Sequence, residues 1–195
     1  AAVEGKGQKF DSEAIRYADR ATENLVYRLT NPENTSLFPA PSNPNVFRKR
    51  DEFLFSSDRS GSLQVHLLHW KKGDTRQMTD ADKLDPDSVT LAERNGAFYY
   101  WDDHKLVRAA VNNLRGRTIY ELPDGVSDRV GFSVTREESA ALWVQRTGGS
   151  NQLILLDLAG GATRTLLETS EPIEDPQWRP GRRDILCRIG SRIAL

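Results

Sequence analysis

The sequence is poor in the residues that usually announce chemistry. It holds one cysteine, Cys187, in 195 residues, so no internal disulfide can form, and no Cys/His spacing resembles a zinc site. Charge of a single sign is also lacking. Lys and Arg total 27 against 28 Asp and Glu, and a net charge of -1 provides no general attraction for nucleic acid or an anionic membrane. No apolar run approaches the roughly 18 residues of a membrane span, and the opening Ala1-Ala2-Val3-Glu4-Gly5-Lys6-Gly7 lacks the apolar core of a signal peptide. The expectation is a soluble chain, with cytoplasm and periplasm both open. There is no Gly-x-Ser-x-Gly elbow, and Gly5-Lys6-Gly7 is no phosphate loop. A serine hydrolase or a nucleotide enzyme is therefore not indicated.

What is present is a repeat. The apolar runs Phe53-Leu54-Phe55, Phe98-Tyr99-Tyr100, Leu142-Trp143-Val144 and Ile185-Leu186-Cys187 begin 45, 44 and 43 positions apart. A polar, turn-prone segment precedes each, such as Glu93-Arg94-Asn95-Gly96 or Arg136-Glu137-Glu138-Ser139. After three of the runs come a further strand, a tight link such as Ala159-Gly160-Gly161, and a closing strand. Those closing strands, Thr75–Thr79, Arg117–Glu121 and Thr163–Leu167, alternate polar and apolar residues as a half-exposed sheet edge does. Four short strands per repeat describe a propeller blade. A β-sandwich also has many short strands, but without a constant interval.

The expected fold is all-β, a β-propeller of four-stranded antiparallel blades, present as a partial ring. The boundaries read as one domain over 1–195, with full repeats at 44–87, 88–131 and 132–175 and an incomplete repeat at 176–195. Tyr17 to Thr30 echoes the last hairpin of a repeat, Tyr27-Arg28-Leu29-Thr30 matching Arg76-Gln77-Met78-Thr79, so 17–30 reads as the outer hairpin of a closing blade. A helix has a weak alternative claim only around Ser12 to Arg20.

Other candidate chemistry is thin. His66 and His69 are three apart on one strand and point to opposite faces, which argues against one ion bound by both together with His104. They read as partly exposed outer-strand residues, and no metal site is expected in this chain. Asp80 to Asp87 lacks the glycine and closing glutamate of a calcium loop and reads as an inter-blade connection with solvated charges. Asp102-Asp103 and Glu137-Glu138 read as turn residues. Arg48-Lys49-Arg50, followed by Asp51-Glu52, reads as a solvated hairpin tip and not a nucleic-acid patch. Trp143 reads as core, whereas Trp101 and Trp178 lie nearer strand ends, where a channel-facing position is open.

Several pieces together resemble the oligogalacturonate lyase family and, more distantly, Tol-type and prolyl-peptidase-type propellers. They are Arg28-Leu29-Thr30, Phe53-Leu54-Phe55-Ser56-Ser57-Asp58-Arg59-Ser60-Gly61, Gln77-Met78-Thr79-Asp80, Ile119-Tyr120-Glu121-Leu122-Pro123-Asp124-Gly125 and the last repeat. The resemblance implies the N-terminal half of a seven-bladed ring, about four blades of it. It also implies an enzyme that cleaves short, pectin-derived oligogalacturonates by β-elimination, with manganese or another divalent cation held by histidines and a glutamine. In that chemistry the cation on the uronate carboxylate stabilises the carbanion-like state formed when a base removes the adjacent proton, and the glycosidic oxygen then leaves. Most of the metal ligands fall in later blades, beyond Leu195.

One part of the family's active region falls here, where members show His-Val-Gln before a strand and Cys-His-x-Gly at its end. This chain reads Asp175-Pro176-Gln177 and Cys187-Arg188-Ile189-Gly190, so both histidines are replaced. Gln177 remains, and Arg188 can hold a carboxylate through its planar fork but cannot act as a base. Gln177 and Arg188 are the expected substrate-binding residues, and a uronate oligosaccharide the expected partner. A non-catalytic propeller binding a protein or carbohydrate is the alternative.

Overall fold

The computed structural model describes residues 5–179 and 184–194. They form eighteen strands and one 3-10 turn, Glu93–Asn95. Among the described residues, no helix is long and apolar enough to cross a membrane.

The strands fall into blades of antiparallel neighbours. The N-terminal region contributes β1 (Lys9–Phe10), β2 (Ile15–Ala18), β3 (Leu25–Arg28) and β4 (Ser36–Leu37). The first blade continues with β5 (Glu52–Ser57), β6 (Gln64–His69) and β7 (Thr75–Gln77). Next come β8 (Leu84–Ala92), β9 (Ala97–Asp102), β10 (Lys105–Ala110) and β11 (Gly116–Glu121), then β12 (Asp128–Val134), β13 (Ala140–Thr147), β14 (Ser150–Asp157) and β15 (Thr163–Thr169). The last described blade holds β16 (Ile173–Trp178), β17 (Ile185–Ile189) and β18 (Arg192–Ala194). Sheet orders are β4-β5-β6-β7-β1, β8-β9-β10-β11, β12-β13-β14-β15 and β16-β17-β18, with β2-β3 a separate hairpin. The segment around Ser12 to Arg20 is thus extended.

The four apolar runs occupy the second or middle strands, β5, β9, β13 and β17. Each is flanked by strands in its own sheet, and β9 and β13 are buried on both faces over their apolar runs, which is why those read as unbroken, whereas β17 is only partly buried. Alternate residues of one strand feed different cores. Phe98 and Tyr100 join Leu54, Val65 and Met78 between the first two blades, while Tyr99 and Trp101 join Trp143 and Phe132 between the second and third. Leu142 and Val144 then meet Ile173 and Cys187. Each sheet therefore covers the apolar face of the next, with roughly 25 cal/mol gained per Å² of apolar surface removed from water.

Two expectations need correction. Thr75–Gln77 is not an edge: β1 pairs outside β7 through Lys9↔Arg76 and Phe10↔Thr75, and Thr75 and Gln77 are buried. The sequence pattern could not show this, because the covering strand comes from far upstream. Residues 84–87 are likewise no connection. They begin β8, the innermost strand of its blade, and Pro86 is tolerated because the ladder is interrupted between Asp85 and Thr90.

Candidate functional site

The innermost strands β8, β12 and β16 touch in succession. Each is irregular at the matching place, between Asp85 and Thr90, Val130 and Ser133, and Glu174 and Gln177. Within these bulges Asp87, Gly131 and Asp175 are exposed. They recur every 44 residues. Gly131 has φ +63° and Asp175 φ +51°, both left-handed. A Cβ on Gly131 would lie 2.5 Å from Pro176 Cδ, so glycine is required both by the backbone angle and by the ring of the next blade.

The bulge in β16 places the two expected substrate-binding residues on one face. Glu174 pairs with Arg188 and Gln177 with Leu186, so three residues of β16 step along two of β17. The extra residue returns Gln177 to the face that carries Glu174 and Arg188. Cys187 points the other way, into the third core, where burial pushes its thiol pKa up. Arg188 Nη2 forms an ion pair with Glu174 Oε2, and both side chains are about half exposed. An exposed pair of this kind is worth about 0–1 kcal/mol, so a competing carboxylate displaces Glu174 at little cost. Gln177 is partly buried.

Between the second and third blades a cleft of about 290 Å³ opens at the end where β8 and β12 begin, lined by Lys83, Asp85, Asp103, His104, Asp128 and Arg129 among others. Arg129 Nη1 binds Asp85 Oδ2 at 2.7 Å, and its guanidinium lies 4.4 Å from the centre of the Trp101 ring. Trp101 is wholly buried and is core, as Trp143 is, so no channel-facing role remains for it. Its backbone N–H, left free where β8 bulges away, is taken up by Ser88 Oγ at 2.8 Å.

The remaining candidates sort differently than their sequence suggests. His66 is not a partly exposed outer residue: β6 lies inside its sheet, and the ring is fully buried between Phe10 and Phe55. Burial first, and the Arg59 charge second, push its pKa down to about 3. Arg59 itself is paired with Glu13 at 3.0 Å and lies over the rings of Phe10 and Phe55, anchoring the N-terminal segment to the first blade. His69 is partly exposed and His104 exposed. Glu138 sits in a turn, yet its side chain is buried and accepts hydrogen bonds from Asn95 Nδ2 at 2.6 Å and Tyr99 O–H at 2.8 Å. It is a clasp between blades that adjacent acidic residues in a turn did not reveal. Among the described residues, no group of three or more His, Cys, Asp or Glu side chains gathers where a metal ion could be held.

The four-stranded sheets arranged around shared inter-blade cores, with their 44-residue period, define a β-propeller. No protein-family model matches the chain. It is 26% identical over 196 aligned residues to an oligogalacturonide lyase of Pectobacterium atrosepticum, covering 90% of this chain and 50% of that protein. A solved oligogalacturonate lyase in complex with manganese superposes with TM-score 0.86 at 16% identity, over 97% of this chain and 61% of the other. TolB from Acinetobacter baumannii is a more distant neighbour, with TM-score 0.57 at 14% identity over 94% of this chain and 52% of that one. Among propellers, its similarity in sequence and in fold is to oligogalacturonate lyases, the family its motifs resemble. It spans about half the length of the curated relatives it matches.

Proposed function

We propose that this chain is part of an oligogalacturonate lyase-type enzyme that cleaves short pectin-derived oligogalacturonates by β-elimination. The observation that carries the reading is the similarity to an oligogalacturonide lyase along 90% of the chain. In this reading, Gln177 and Arg188 bind the substrate. Arg188 exchanges its exposed partner Glu174 for a uronate carboxylate, and Gln177, brought to the same face by the bulge, binds through its amide. As the resemblance implies, a manganese or other divalent ion would be held mostly by residues of later blades. The base that removes the proton is likewise assigned outside this chain, since Arg188 cannot deprotonate.

In the same reading, this chain contributes to a larger ring the repeats at 44–87, 88–131 and 132–175, the incomplete repeat 176–195 and the hairpin 17–30 as the outer pair of a closing blade. That hairpin leaves Ile15, Tyr17, Leu25 and Tyr27 between 45% and 56% exposed, as expected of strands that pack within a larger sheet.

A second reading, a non-catalytic propeller that binds a carbohydrate or protein, is favoured by Asp175 and Arg188 standing where the family has histidines. The full-length protein with digalacturonate and manganese separates the two. Growth of the ultraviolet absorbance of an unsaturated uronate supports the lyase; a folded protein that binds digalacturonate without that absorbance supports the second reading and overturns the first.

A further inference from the structure

A second cleft, of about 330 Å³, lies between the first and second blades, with Lys9, Arg50, Lys72 and Arg76 in its wall against Glu52 and Asp74. It sits where β6 and β10 end and β7 begins, the opposite end of the blades from the cleft at Asp85 and Arg129.

The charges in this wall do not cancel. Arg50 is 3.7 Å from Glu52, which accounts for one cation and one carboxylate. Among the described residues, Lys9, Lys72 and Arg76 make no ion pair, and the Arg76 guanidinium donates to a neutral acceptor, Val111 O, at 2.8 Å. Three cations thus face Asp74 alone. Lys9 and Arg76 are moreover direct partners across β1 and β7, so two like charges share one face at adjacent positions. That arrangement destabilises a strand pair unless a counter-charge lies between them. His69 also lines the cleft, and the Lys72 N–H is shared between its carbonyl oxygen at 3.1 Å and its Nδ1 at 3.3 Å.

We propose that this cleft is an oxyanion site that takes a carboxylate or phosphate group between Lys9, Lys72 and Arg76. The ligand is small, because the cleft holds little more than a single sugar-sized anion. The site is independent of the lyase reading and stands or falls without it.

The test titrates the full-length protein with inorganic phosphate and, separately, with galacturonate, following backbone amide shifts by NMR. Saturable shifts centred on Thr75–Gln77 and Val111–Asn112 are expected, weakened about tenfold in the Lys9→Ala/Lys72→Ala double variant. Both lysines are exposed, so the variant folds, which circular dichroism checks. Lys71→Ala, outside the cleft and paired with Asp51, serves as the control and leaves the affinity unchanged. Saturation by phosphate alone identifies a free oxyanion as the ligand, and saturation by galacturonate alone identifies a uronate. No saturation with either, or saturation that persists unchanged in the double variant, overturns the proposal.

Discussion

Arg129 Nη1 lies 2.7 Å from Asp85 Oδ2, and the two residues are 44 positions apart in the chain. The ion pair therefore joins near-equivalent places on consecutive blades. The same spacing recurs where Asn43 Nδ2 donates to Asp87 O, 44 residues on, and where Asn95 Nδ2 donates to Glu138, 43 residues on. The repeat is thus written in the polar clasps as well as in the apolar runs. A double-mutant cycle on Asp85→Ala and Arg129→Ala should return a coupling of about 1–3 kcal/mol in denaturant unfolding. Arg129→Ala should be the costlier single change, because it also strips the cation from the face of Trp101. Additive effects would remove the pair as a stabilising link.

Gly131→Ala should destabilise by at least about 1–3 kcal/mol, since a side chain at φ +63° is strained and its Cβ meets Pro176. Adding Pro176→Ala should recover only the steric share. Chemical unfolding midpoints for the two variants and the parent measure both contributions.

His66 makes stability depend on pH in one direction. Its folded pKa, about 3, lies below the ordinary value of 6.5, so the unfolded chain binds the proton first as pH falls. The contribution is complete above the unfolded value and is lost as pH descends from there toward the folded one, at roughly 1.4 kcal/mol per pH unit. Unfolding midpoints at pH 7.5 and 5 should differ, and His66→Phe should flatten the difference. An equal slope in the variant would assign the dependence to other groups.

For the proposed full-length lyase, Arg188→Ala should raise KM for digalacturonate about tenfold with a smaller effect on kcat, because the proposed contact is made in ground state and transition state alike. Glu174→Gln, which frees Arg188, should lower KM. An unchanged KM in Arg188→Ala would remove the residue from the binding site.

The 195-residue chain by itself should associate, since Ile15, Tyr17, Leu25, Tyr27 and Phe38 leave apolar surface uncovered. Sedimentation coefficients should rise with concentration, less so in Tyr17→Ser/Tyr27→Ser. A sharp monomer boundary at all concentrations would contradict this.

The period, the four-strand blade and the resemblance were legible in the sequence because each blade solves the same burial problem with the same order of turn and apolar strand. A strand buried on both faces must be apolar throughout, and Phe98-Tyr99-Tyr100 or Leu142-Trp143-Val144 announces that without coordinates. Tertiary structure alone decided which strand is an edge, because β1 reaches β7 across more than sixty residues of intervening chain. It also decided that His66 is buried and neutral, that Glu138 is a clasp, and that one extra residue in β16 turns Gln177 toward Arg188. Local pattern reports how much of a residue must leave water. Which partner removes it depends on where the neighbouring blades arrive.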